Sequence, residues 1–166
     1  VQAGDFVNAR MMLTKIQDMT KEGQHPEYRA LKNIVDINFA LKNGKFEQGH
    51  ELLIRSENDI EKFGLIFLYP GFVEAKALHS LFINRYDDAR QMADHLNDFS
   101  ILEGNDFYKG VAHRIKAFCL LREEKYDLAI QEINTALNLL EQAKKGDIHH
   151  YLAQQLQGII YYKAGE

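Results

Sequence analysis

Residues 123–140 read EEKYDLAIQEINTALNLL, in which Tyr126 is followed by Ala129, Ile133 and Ala136 at offsets of 3, 7 and 10. Those offsets trace one face of a helix. The register recurs upstream: Phe6, Phe46, Tyr86 and Tyr126 keep a period of 40, and so do Ala9, Gly49, Ala89 and Ala129. Leu13, Leu53 and Ala93 match Ile133, and Ile16, Ser56 and Leu96 match Ala136. Leu41, Leu81 and Leu121 lie five places before the aromatic, and Ile37, Ala77 and Ala117 nine before it. A second helix therefore precedes each aromatic-led one. The small residue lets the paired helices approach, and the aromatic fills the space between them.

Breakers fall in phase. Gly23, Gly64, Gly104 and Gly146 stand where each second helix should stop, as a left-handed glycine after a helix end does. Pro26 and Pro70 lie near the start of the next first helix, where a missing N–H is harmless. Asn105 or Asp106, and Asp147, serve as caps at the other two starts. Periods of 20 to 50 residues built from helix pairs indicate a solenoid, each unit burying its apolar face against its neighbours. The expected fold is all-α, an α-solenoid of antiparallel helix pairs.

The composition agrees. A chain of 166 residues with 46% hydrophobic and 27% charged residues buries a real core without metals or disulfides. Cys119 is the single cysteine, which excludes an internal disulfide and fits a reducing, cytoplasmic setting. A net charge of −4 lacks the basic stripe that phosphate tracking needs, so direct nucleic-acid binding is not expected. The longest apolar run, FGLIFLYPGF at 63–72, is too short to span a bilayer and is broken by Pro70. The chain begins at Val1 with no signal-peptide pattern, as expected of a segment of a longer protein.

These residues resemble the tetratricopeptide repeat family, best matched at 123–140. The stretch GIIYYKAGE at 158–166 is similar to the end of a family first helix, with Gly158 at the close-packing position. The resemblance covers nearly the whole chain and implies a right-handed superhelix. It departs in period, since the family's is usually 34, and in Asp36, Lys76, Lys116 and Gln157, which replace a large apolar residue. Longer repeats of this size resemble those in sensor domains of bacterial transcription activators and peptide-sensing regulators. One domain over 1–166 is expected: a second helix at 1–24, full repeats at 25–64, 65–104 and 105–145, and a first helix at 146–166. Neither end has the polar outer face of a finished solenoid, so both offer surfaces for self-association. Ile159, Ile160, Tyr161 and Tyr162 make the last helix apolar nearly all round.

Little in the chain asks for catalysis. The histidines 25, 50, 79, 95, 113, 149 and 150 show no i, i+4 pair. HELLI at 50–54 has Ile54 where a zinc-protease helix needs its second histidine. His149 and His150 straddle the last helix start, one exposed and one packed. Cys119, between Phe118 and Leu120, reads as a buried structural thiol. No G-x-S-x-G or P-loop is present, and the acidic clusters SENDIEK (56–62) and REEKYD (122–127) flank turns as solvated charge. No enzyme activity, metal or cofactor is expected.

Surfaces are more informative. In the resembled family the first helices line a concave groove. Alignment on the aromatic brings Ile34, Asn38 and Lys42 to it, then Glu74, Leu78 and Phe82. Arg114, Phe118 and Arg122 follow, then Gln155, Ile159 and Lys163. Four of its charges are positive and one negative, opposite to the chain as a whole, which suits an acidic or carboxylate-ended peptide. The family's carboxylate clamp of lysines and asparagines is not reproduced. The other candidate surface is the lengthened connection with Phe63, Phe67, Tyr69 and Phe72: either core filling or an exposed aromatic anchor. The expected function is a non-catalytic interaction or scaffold module of a larger regulatory protein, binding a peptide or protein in the groove. The alternative is a domain that senses a ligand or signal peptide for a bacterial transcription regulator or signalling protein.

Overall fold

A computed structural model describes residues 25–143 and 147–165. The expectations placed on residues 1–24, Gly146 and Glu166 lie outside the described residues. Among those described, the chain is helical and contains no strand. The helices are α1 (Pro26–Lys42), α2 (Phe46–Phe63), α3 (Tyr69–Phe82), α4 (Tyr86–Glu103), α5 (Asp106–Arg122), α6 (Tyr126–Gln142) and α7 (Asp147–Ala164), with a 3-10 turn at Ile66–Leu68. Each repeated aromatic, Phe46, Tyr86 and Tyr126, opens a helix.

The turn inside each pair is built the same way three times. Lys45, Arg85 and Lys125 donate their backbone N–H to the carbonyls of Ala40, Ser80 and Leu120 at 2.8–2.9 Å. Gly44, Asn84 and Glu124 donate theirs to Leu41, Leu81 and Leu121 at 3.1–3.2 Å. This pairing of bonds is the Schellman motif, which uses up carbonyls that a helix end leaves unsatisfied. It demands a left-handed residue at its fifth position: Gly44, Asn84 and Glu124 have φ of 71°, 61° and 60°. Gly64 and Gly104 end α2 and α4 in the same conformation. Pro26 opens α1, and the Asn105 side chain accepts from the Phe107 N–H at 3.1 Å to cap α5.

Packing gathers the described residues into two compact units that divide between residues 75 and 76, within α3. In the first, α1 packs on α2, and Ala30, Ile37, Leu41, Leu53 and Ile60 are buried. Gly49 and Ser56 take the small positions of that interface. Arg29 donates from Nε and Nη2 to the two oxygens of Asp59 at 2.8 and 2.6 Å. Asp59 is only 9% exposed, so this member of the acidic stretch at 56–62 is a buried partner of a guanidinium rather than solvated charge. Isolated burial would be too costly for a carboxylate.

In the second unit each helix from α4 to α7 packs on the next, and α5 also meets α7. Ala89, Ala93, Leu96, Ala129, Ile133 and Ala136, the repeated columns, are buried. Two of the polar residues singled out in the sequence, Lys116 and Gln157, are pinned to the preceding helix. Lys116 Nζ lies 2.7 Å from Asp94 Oδ1, and Gln157 Nε2 donates to Asn134 Oδ1 at 2.8 Å. Asp94 and Asn134 occupy the same place in successive repeats, eight residues after the aromatic. A polar rung thus recurs between α4 and α5 and between α6 and α7.

Candidate functional site

The end of α3, α5 and α7 are successive first helices, and within residues 76–166 they enclose a cleft of about 350 Å³. The apolar walls come from Leu78, Leu81 and Phe82 on α3, Ile115 and Phe118 on α5, and Leu152, Leu156 and Ile159 on α7. Its polar groups are Asn84, Arg114, Arg122 and Gln155. Seven of the expected groove residues, Leu78, Phe82, Arg114, Phe118, Arg122, Gln155 and Ile159, therefore meet at one place. Spacing of 3 and 4 along each first helix is what aligns them. Lys163 lines an adjoining depression with Phe118, Arg122 and Ile159, where Glu124 adds a carboxylate.

Asn38, Lys42 and Glu74 belong to residues 25–75 and are not among these walls. The Asn38 side chain donates to the Ile34 carbonyl at 3.2 Å, and Lys42 is exposed at the end of α1. Ile34, expected on the groove, is buried, as its apolar chain favours. Leu81, Asn84, Ile115, Leu152 and Leu156 are walls that the sequence reading did not include. The leucines and Ile115 lie within a helical turn of expected groove residues, a signal present in the spacing. Asn84 sits in the turn after α3, in the left-handed conformation.

The two arginines differ. Arg114 is 8% exposed, so its guanidinium is inside the structure. Arg122 is exposed and braced: Nε donates to the Tyr86 hydroxyl at 3.1 Å, and Nη2 to Asn84 Oδ1 at 3.3 Å. The Tyr86 hydroxyl itself donates to Asn84 Oδ1 at 2.7 Å. The repeated aromatic and the left-handed turn residue thus also hold the cleft's outer cation. Gln155 Nε2 donates to the Tyr151 hydroxyl at 2.7 Å.

Other candidates are less equipped for chemistry. Cys119 is fully buried, and burial pushes its thiol up to about 11, with Arg90 opposing the shift. A thiol held in that form is a poor nucleophile. Its Sγ donates to the Tyr86 carbonyl at 3.7 Å. Glu123, in the second acidic cluster, is held below the ordinary carboxylate range by hydrogen bonds from Lys125 and Arg90. His149 and His150 are both half-buried rather than one exposed and one packed, and His149 meets the Phe107 ring edge-on at 5.0 Å. Among the described residues no group of three His, Cys, Asp or Glu side chains is placed to hold a metal ion. No described helix is long and apolar enough to cross a membrane.

The connection at 63–72 divides between its two expected roles. Leu65, Leu68 and Phe72 are buried, whereas Phe63, Ile66 and Phe67 are exposed, Phe67 at 69%. Phe72 is therefore core and not part of an outer face, and Tyr69 is half-buried. On α7, Ile160 is buried, but Ile148, Tyr151, Ile159 and Tyr162 are exposed. Gly158 has open space where a Cβ would stand, while Gly110 has Leu140 Cγ at 2.8 Å. The close approach expected at Gly158 occurs instead at Gly110, where α6 packs against α5.

No protein-family model matches the sequence, nor does any curated protein or any solved structure.

Proposed function

We propose that this chain is a non-catalytic binding module, made of helix pairs of the tetratricopeptide type in a right-handed α-solenoid. It serves a larger cytoplasmic regulatory or scaffolding protein and holds a peptide or protein partner in the cleft of residues 76–166. The observation that carries this reading is the convergence of Leu78, Arg114, Phe118, Arg122 and Gln155 on one cleft. Affinity comes from a few buried aromatic and guanidinium contacts displayed on a rigid frame. A second reading, ligand sensing for an attached effector domain, draws on the cleft's size, which lies within the roughly 300–1,000 Å³ of small-molecule sites.

Affinity capture with the wild type and with Arg122→Glu combined with Ile159→Asp tests the binding reading. Both side chains are exposed, so the pair leaves the melting temperature close to that of the wild type. Arg114 is left alone because a buried carboxylate there would test folding. Partners captured by the wild type and lost from the variant are expected. Equal capture by both moves the site away from the cleft, with Phe63 and Phe67 next. Turnover of a defined substrate would remove the non-catalytic reading.

A further inference from the structure

We infer that the uncovered face of α7 is a docking surface for residues 5–22 of a second copy of this chain, so that copies join head to tail.

Gly110 on α5 lies against Leu140 and Ala136 of α6, which marks the stripe by which a first helix receives its second helix. Residues three or four apart continue that stripe along the helix. On α5 it runs through Gly110, Arg114 and Ala117, all buried. On α1 the same register gives Ala30, Ile34, Ile37 and Leu41, also buried, and α2 packs on that helix. On α7 it gives Tyr151, Gln155, Gly158 and Tyr162, with Ile148 one turn earlier. All five are exposed, Tyr162 at 79%, and Gly158 has open space beside it. The opposite side of α7 is packed normally: Ala153, Leu156 and Ile160 are buried, as their counterparts Ala112, Ile115 and Cys119 are. One side of α7 therefore resembles a finished first helix, and the other is the side that α5 gives to α6. Ile148, Tyr151, Gly158 and Tyr162 do not line the cleft, so this surface is separate from the proposed partner site.

The second helices show what fits such a stripe. On α6, Ala129, Ile133, Ala136 and Leu140 follow Tyr126 into the core, and on α2, Gly49, Leu53, Ser56 and Ile60 follow Phe46. Residues 5–22, outside the described residues, carry Phe6, Ala9, Leu13, Ile16 and Thr20 at the same offsets. The register sets Leu140 against Gly110 and Ile60 against Ala30, a large residue on a small one. It sets Thr20 against Tyr151, which reverses the sizes and fills the same space. Paired helices in this chain are neighbours joined by short turns, whereas α1 to α6 separate residues 5–22 from α7. Supplied by another molecule, the stretch continues the 40-residue repeat across the junction. The two surfaces differ, so each added copy offers a fresh α7 and growth does not stop at a dimer.

Sedimentation velocity of the whole chain over a concentration series tests this, with Tyr162→Glu and Ala9→Arg each checked for unchanged melting. The mean mass of the wild type should rise with concentration, through dimer and beyond. Either substitution should weaken association at least about tenfold. Each variant keeps the surface that the other has lost, so their equimolar mixture should form a one-to-one dimer and nothing larger. A synthetic peptide of residues 1–24 should bind the wild type and lower its mean mass, and the same peptide carrying Ala9→Arg should not, a readout that does not depend on how the variant chain folds.

A wild type that stays monomeric throughout would overturn the inference. Association lost in Tyr162→Glu but kept in Ala9→Arg would pair α7 with some other surface, such as a second α7, and association kept in Tyr162→Glu would place the contact away from α7. Either result overturns it, as would a mixture of the variants that remains monomeric or a peptide that binds equally well with Ala9→Arg. The cleft reading stands or falls separately, by capture with Arg122→Glu and Ile159→Asp.

Discussion

Replacing Gly110 by alanine and, separately, Gly158 by alanine puts the same methyl group into two first helices that occupy successive places in the repeat. Both positions lie inside helices, α5 and α7, where alanine is favoured over glycine by about 1 kcal/mol. At Gly158 nothing lies within 4 Å of the new Cβ, so the full gain of about 1 kcal/mol is expected. At Gly110 the new atom meets Leu140 Cγ at 2.8 Å, Leu140 Cδ2 at 3.0 Å and the Ala136 carbonyl at 3.3 Å. Leu140 is itself buried, and its Cγ is a branch point that cannot swing away alone. Overpacking of this kind costs about 1–3 kcal/mol. The helix-propensity gain offsets part of it, leaving a net loss of about 0–2 kcal/mol. Because the intrinsic gain is common to both variants, their difference of about 1–3 kcal/mol isolates the contact between α5 and α6. Thermal unfolding followed by circular dichroism should show Gly158→Ala above the wild type by about 2–4 °C. Gly110→Ala should fall below Gly158→Ala by at least that much. In a Leu140→Ala background the difference should shrink, since the closest neighbour is gone. If Gly110→Ala gained as much as Gly158→Ala, the close packing of α5 on α6 would be refuted.

The turns make a second prediction: Glu124, at φ 60°, occupies a conformation that glycine adopts without strain, so Glu124→Gly should stabilise by about 1 kcal/mol, read as a higher denaturant midpoint. A lower midpoint would contradict the left-handed turn. A third concerns acid. Hydrogen bonds from Lys125 and Arg90 lower the carboxyl of Glu123 from its ordinary value of 4.5. Its contribution to stability is therefore present above the unfolded value and lost as pH falls through the folded one. Stability measured from pH 6 to 3 should fall more steeply for the wild type than for Glu123→Gln, and parallel curves would show that the pairing is not felt.

Much of the architecture is legible because it is written locally. An aromatic, a small residue three places on and apolar residues at seven and ten define a helix face without reference to the rest of the chain. Glycines 64 and 104 announce helix ends for the same reason. Glu124 shows the limit: a glutamate carries no left-handed signature, and only the repeated Schellman bonds place it beside Gly44 and Asn84 in one role. Asp59 is similar. In the sequence it belongs to a charged run at a helix end, whereas its burial depends on Arg29, thirty residues away.

The candidate site divides along the same line. Sequence by itself determined which residues share the face of each first helix, because side-chain direction follows from helical periodicity. That Leu78, Arg114, Phe118, Arg122 and Gln155 share one groove was implied by the resemblance to a repeat family, not by periodicity. Tertiary structure alone decided that Arg114 is buried while Arg122 is exposed and braced by Tyr86 and Asn84. It alone decided that Gly110, and not Gly158, receives a neighbouring helix. The physical reason is that periodicity assigns a direction to each side chain, whereas burial and partners depend on what another segment of the chain brings to that direction.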